Sequence, residues 1–161
     1  MVESIISQQI TGKAAQTVYR RLKELAGGIK PECLVRCRIE DMQKCGMSLR
    51  KAGYIRDLSE KVASRTFDLE SIRTLDDEKL IEKLVSLKGI GRWTAEMLMI
   101  FSLERSDILS YNDLAFFRGL QMLYGLADIS KEEFAKIKER YSPYASIASF
   151  YLWDLANANN Q

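Results

Sequence analysis

The chain has 161 residues, 47% of them apolar and 29% charged, enough to bury a core and keep a solvated surface. Histidine is absent, which removes Ser-His-Asp and Cys-His catalysis, His-ligated zinc and imidazole acid–base chemistry together. The formal charge is +2; residues 1–60 hold 11 Lys/Arg against 7 Asp/Glu and residues 61–161 hold 13 against 15, an asymmetry too small to argue for a polyanionic partner.

No apolar run approaches the roughly 18–20 residues that span a bilayer. Met1 is not followed by the basic and apolar stretches of a signal peptide. Cys33, Cys37 and Cys45 are odd in number and form no CxxC pair, so reduced thiols in a cytosolic protein are expected, buried as small apolar residues.

In chain order, Val2, Ile5 and Ile6 begin an apolar helical face at once, without an upstream cap. Thr11-Gly12 precedes a run with Ala14, Ala15, Val18, Leu22 and Leu25 at helical spacing, stopped by Gly27-Gly28. Pro31 opens a short helix through Cys37, and Ile39–Cys45 forms another. Ser48 caps a helix to about Ser64; Asp68 and Asp76 start two more, the second reaching Ser86. After Lys88-Gly89-Ile90-Gly91 a helix runs from Arg92 to about Leu103. Asp113–Tyr124 follows, with Leu114, Phe117, Leu120 and Leu123 expected inward. Ser130-Lys131-Glu132-Glu133 is a capping box opening a helix to Arg140, and Ser142-Pro143 opens the last, to about Asn157. No stretch alternates with period two. The fold class is therefore all-α, with about nine or ten helices.

The most informative stretch is Leu84–Ala95, LVSLKGIGRWTA. Two glycines one residue apart, between a helix end and a helix start, allow a sharp turn and leave the second helix's first amides unobstructed. Such an end attracts phosphate through free N–H groups and the helix dipole. No strand precedes it, which argues against a dinucleotide fold.

LKGIGRWTA resembles the helix-hairpin-helix element of the DNA glycosylase superfamily that includes endonuclease III, and within it the alkylbase branch of 3-methyladenine DNA glycosylase II. The likeness extends to SIISQQITGKAA (Ser4–Ala15), KCGMSLRKAGYI (Lys44–Ile55), SYNDLAFFRGL around Asp113, and SPYASIASFYLW (Ser142–Trp153). It implies one glycosylase domain over 1–161, with the hairpin at about 84–95, two small helical lobes and an active-site cleft between them. It also implies that the family's segment before SIISQQI is absent here.

The resemblance assigns roles residue by residue. Asp113, 22 residues after Gly91, matches the essential carboxylate, which would stabilise the oxocarbenium-like sugar and direct water to it. Read alone, an aspartate at a helix start is an N-cap. Gly89, Gly91, Arg92 and Thr94 would meet the DNA backbone, and Gln9 would be the wedge that fills the space of a flipped base. Trp93, Trp153 and Tyr111 fall where relatives line the base pocket, and cationic alkylated purines suit aromatic faces; the competing reading makes all three rings core. Lyase relatives carry a lysine where Trp93 stands, so direct hydrolysis without strand cleavage is implied. Lys88 reads as a phosphate contact or a solvated charge; Arg50, Lys51 and Arg118 read first as surface charge.

No cofactor is required on this reading, although K⁺ or Na⁺ is compatible with the hairpin carbonyls. No iron–sulfur cluster is implied, because no cysteine follows Cys45. The implied partner is double-stranded DNA carrying alkylated bases, bound by a monomer without membrane contact, at the nucleoid in the cytoplasm or in a nucleus. Two alternatives stay open: a non-catalytic DNA-binding module, against which Asp113 and the tryptophans argue, and a glycosylase for uracil, hypoxanthine or an oxidised purine.

Overall fold

The computed structural model describes residues 1–158. Among them are ten α-helices, a 3-10 turn at Ser71–Thr74 and no strand. The chain divides into two compact units, residues 1–92 and 93–161.

The first unit contains α1 (Val2–Ser7), α2 (Gly12–Ala26), α3 (Pro31–Leu34), α4 (Ile39–Lys44), α5 (Leu49–Ala63) and α6 (Asp77–Val85). Side-chain caps start three of these: Thr11 accepts from the Ala14 amide, Ser48 from Lys51 and Asp76 from Lys79. Gly27 ends α2 with φ 70°, its neighbour's amide returning to the Lys23 carbonyl. Helix α5 packs against α1, α3 and α4, around a core that includes Ile5, Ile6, Leu22, Leu34, Met42 and Ile55.

The second unit contains most of α7 (Arg92–Phe101), then α8 (Leu114–Tyr124), α9 (Lys131–Tyr141) and α10 (Ala145–Ala158). The Ser130–Glu133 capping box opens α9 as its sequence predicts. Phe116, Leu120, Ile129, Phe134, Ile137 and Leu152 form the core.

Four local expectations are corrected. Helix α3 ends at Leu34 rather than Cys37, and the Asp68 segment makes only the 3-10 turn, its Oδ1 holding the Glu70 amide in a local turn instead of capping a helix. Helix α8 buries Phe116, Gly119 and Leu120; Leu114 is 78% and Leu123 54% exposed. The inward face centres on Gly119 because its missing side chain admits the backbone of α10: an added Cβ would strike the Leu152 carbonyl. Of the cysteines only Cys45 is buried; Cys33 and Cys37 are half-buried and all three are free.

Candidate functional site

The loop between α7 and α8 carries Asp113, and α10 anchors it. The Asp107 carboxylate accepts from the Ser142 hydroxyl (2.7 Å) and the Ala145 amide (3.2 Å), so an aspartate 38 residues upstream satisfies the start of α10. This places the helix start at Ala145, beyond Ser142-Pro143. The buried Ser146 hydroxyl donates to the Arg105 carbonyl (2.6 Å) and accepts from the Ile108 amide (2.9 Å). Nearer the aspartate, buried Ser110 donates to buried Glu96 on α7 at 2.5 Å.

Asp113 is 7% exposed and receives three N–H donors. Its Oδ1 accepts from the Phe116 amide (2.9 Å), capping α8, and from Trp153 Nε1 (3.2 Å). Its Oδ2 accepts from Trp93 Nε1 (2.9 Å). The aspartate is therefore an N-cap, and it is also the meeting point of the two tryptophans. A carboxylate offers about four acceptor positions. Three are used by these donors, and the remaining capacity lies on Oδ2.

The two indoles differ in what their faces meet. Trp153 stacks on Phe101 (centroids 5.7 Å, planes 16° apart) with Phe150 against it at 5.6 Å. Trp93 is 45% exposed, with no ring packed on it among the described residues. Tyr111 stands apart from this cluster. It packs edge-on to Phe117 and Phe134, both at 5.1 Å, beneath the Lys131 ammonium. It is partly buried and packs against the core of the second unit.

In the first unit, the turn after α6 carries the glycines. Gly89 has φ 84°, and an added Cβ would collide with the Tyr54 ring on α5. An added Cβ at Gly91 would meet nothing, so its surroundings are open. Together with Gln8, Arg50 and Tyr54, residues 85–91 line a groove of about 580 Å³. Lys88 is paired with Asp57 (3.0 Å) and Arg92 with Glu78 (3.3 Å), so neither is a plain solvated charge. Helix α7 begins directly after Gly91 and leaves its first amides without intrahelical partners. Thr94 is 7% exposed.

Gln9 lies in the turn between α1 and α2 with φ 61°, a left-handed conformation costing about 1 kcal/mol in a non-glycine residue. Gln9 itself is exposed. Beside it, the Gln8 side chain donates to the Gly89 carbonyl (2.8 Å). The Lys51 ammonium donates to the carbonyls of Ile6 (2.8 Å) and Gln8 (2.5 Å). Burial, together with the charge of Arg50, pushes the Lys51 ammonium below the usual lysine range.

Residues 2–143 match the HhH-GPD superfamily of base excision DNA repair proteins. The chain belongs to that superfamily. This HhH-GPD chain is 35% identical over 158 residues to DNA-3-methyladenine glycosylase 1 of Schizosaccharomyces pombe, covering 95% of itself and 69% of the relative. It is 31% identical to DNA-3-methyladenine glycosylase of Saccharomyces cerevisiae, covering 99% of itself and 66% of the relative. It thus spans about two thirds of the length of these two proteins. Among solved structures, a DNA-3-methyladenine glycosidase from Bacillus halodurans superposes with a TM-score of 0.89 at 40% identity, over 99% of this chain and 75% of that one. The S. pombe 3-methyladenine DNA glycosylase in complex with abasic DNA gives 0.79 at 35% identity, over 94% and 76%.

Three HhH-GPD site features escape sequence reasoning. Tyr54 beneath Gly89 carries no local signal. Gln8 reads like Gln9 until its partner 81 residues away is known. The Glu96–Ser110 pair could be sought only as a carboxylate on an otherwise apolar helix, MLMIF following it in α7.

Proposed function

We propose that this HhH-GPD protein is a monofunctional DNA N-glycosylase that hydrolyses the base–sugar bond of alkylated purines in duplex DNA. The observation that carries the reading is Asp113, held by an amide and two indoles with acceptor capacity left on Oδ2. Phosphate gripping needs neither the carboxylate nor the rings. Departure of the base leaves positive charge on the sugar, and a fixed carboxylate that has no need to reorganise stabilises that charge and aligns a water for attack. The alkylated purine departs as a neutral base, so little acid catalysis is asked of the protein. Trp93, with an exposed face, is the ring for cation–π contact with it, while Trp153 presents its edge to Asp113 and one face to Phe101.

Trp93 occupies the place of the amine that a lyase would use, and an indole nitrogen forms no Schiff base; the product is therefore an abasic site in an uncut strand. The relatives' names and the abasic DNA bound to the S. pombe protein support duplex DNA as the partner. The reading places a monomer at the nucleoid or in a nucleus. No helix of the described residues is long and apolar enough to cross a membrane. The hairpin's donor set is neutral carbonyl oxygen, which suits a hard monovalent cation. The Gly89 carbonyl is already engaged by Gln8, that of Leu87 by the Ile90 amide and that of Leu84 by the Leu87 amide, so the other carbonyls of residues 85–91 would hold K⁺ or Na⁺, whose part would be structural.

The test is base release from methylated duplex DNA, with the freed bases identified by chromatography. Wild type is expected to release 3-methyladenine or 7-methylguanine and leave strands uncut until alkali is added. Asp113→Asn should bind DNA and release at least 100-fold more slowly. If both proteins bind duplex and release no base, the chain is a binding module.

A further inference from the structure

The turn at residues 7–11 is tied to the glycine hairpin by Gln8 and to α5 by Lys51, two side chains with no role in the chemistry above. The Gln8 amide reaches the Gly89 carbonyl, and the Lys51 ammonium holds the carbonyls of Ile6 and Gln8. Between these ties and Thr11, the cap of α2, Gln9 stands in a left-handed conformation that its own side chain does not favour. A strained residue persists only where its surroundings over-determine it; here the Ile10 amide closes the turn on the Ser7 carbonyl (3.4 Å), and Gln8 and Lys51 fix that turn to its neighbours.

Lys51 sits in the first turn of α5, where the helix dipole disfavours a cation, and α5 has no acid there to offset it. Its ammonium faces the carbonyl end of α1 instead, where a cation is favoured and carbonyls lack helical partners. Helix α5 also carries Tyr54, whose ring lies under Gly89. One helix therefore supports both the turn and the hairpin.

We infer that Gln8 and Lys51 are positioning residues that lock the Gln9 turn to the hairpin, so that phosphate capture by the hairpin and insertion of Gln9 into the duplex occur as one rigid event. This rests on the reading of Gln9 as the wedge. With the lock broken, the hairpin still meets the backbone while Gln9 is free to leave its strained conformation, and insertion then lags behind binding.

Two substrates test this with Gln8→Glu, Lys51→Met and Lys51→Arg, each confirmed as folded by circular dichroism. Gln8→Glu keeps shape but removes the donor to Gly89; Lys51→Arg keeps charge and donors. The first substrate holds one 7-methylguanine, either paired in duplex or bulged without an opposing nucleotide, where little unstacking is needed. The bulged-to-paired ratio of single-turnover base release should rise at least tenfold in Gln8→Glu and Lys51→Met and return toward wild type in Lys51→Arg. A ratio that stays at the wild-type value, whether or not the rates fall, overturns the lock.

The second substrate is unreactive: a duplex with a tetrahydrofuran abasic analogue and 2-aminopurine beside it, read at saturating protein. Wild type should raise the fluorescence by unstacking, and the two disrupting variants by less than half as much. Equal fluorescence in all, or none with wild type, overturns the proposal. If wild type releases no base but unstacks 2-aminopurine, the glycosylase reading fails and the lock is still judged by its variants.

Discussion

Gly89 combines two demands on one position: a φ of 84° that side chains resist, and the Tyr54 ring lying where a Cβ would go. Gly89→Ala should therefore lower stability by about 2 kcal/mol, from left-handed strain plus displacement of the ring, read as a shift of the urea midpoint. Duplex affinity should fall further than that loss explains, because the turn itself changes shape. Asp113 was legible as an N-cap from composition and as a catalytic candidate from its place after the hairpin. That the same carboxylate also receives both indoles was not, since Trp93 lies 20 and Trp153 40 residues away. Tyr111 is ambiguous in sequence for a related reason: a ring on a loop can face a site or a core, and its edge-on packing with Phe117 and Phe134 is set by the fold.

At the scale of elements, helix starts were read well because Thr11, Ser48, Asp76 and Ser130 act within three residues of themselves. The start of α10 is not legible at Ser142-Pro143 because its cap, Asp107, belongs to a distant loop. The buried face of α8 is hidden in the sequence because a hydrophobic count gives Gly119 no weight, although it marks the approach to α10. Gly119→Ala would gain about 1 kcal/mol of helix propensity. The new Cβ would meet backbone rather than a movable side chain, and overpacking costs about 1–3 kcal/mol. A net loss is expected, read from the thermal midpoint. On α5, hydrogen bonds from Lys61 and then Lys88 hold the Asp57 carboxyl below the usual aspartate range. Its stabilisation is complete above the unfolded pKa of about 3.9 and is lost as pH falls through the lower folded value. Urea midpoints of wild type and Asp57→Asn should differ at pH 6 and converge toward pH 2.

For the molecule as a whole, the net charge of +2 conceals a division. Residues 1–92 carry 18 Lys/Arg against 13 Asp/Glu, and residues 93–161 carry 6 against 9. The positive unit is the one with the glycine turn and its groove, and the negative unit holds Asp113 and the indoles. Duplex affinity should fall steeply with salt, and Arg50→Ala, which removes a groove-lining cation, should lower the slope of log K against log salt by about 1. A titration at several salt concentrations reads this directly.

The chain has two tryptophans, and both donate to the same carboxylate. Its indole emission therefore comes wholly from the vicinity of Asp113, with no background from elsewhere in the fold. The protein carries its own optical probe, and a purine arriving against Trp93 would be visible as quenching, without any label being attached.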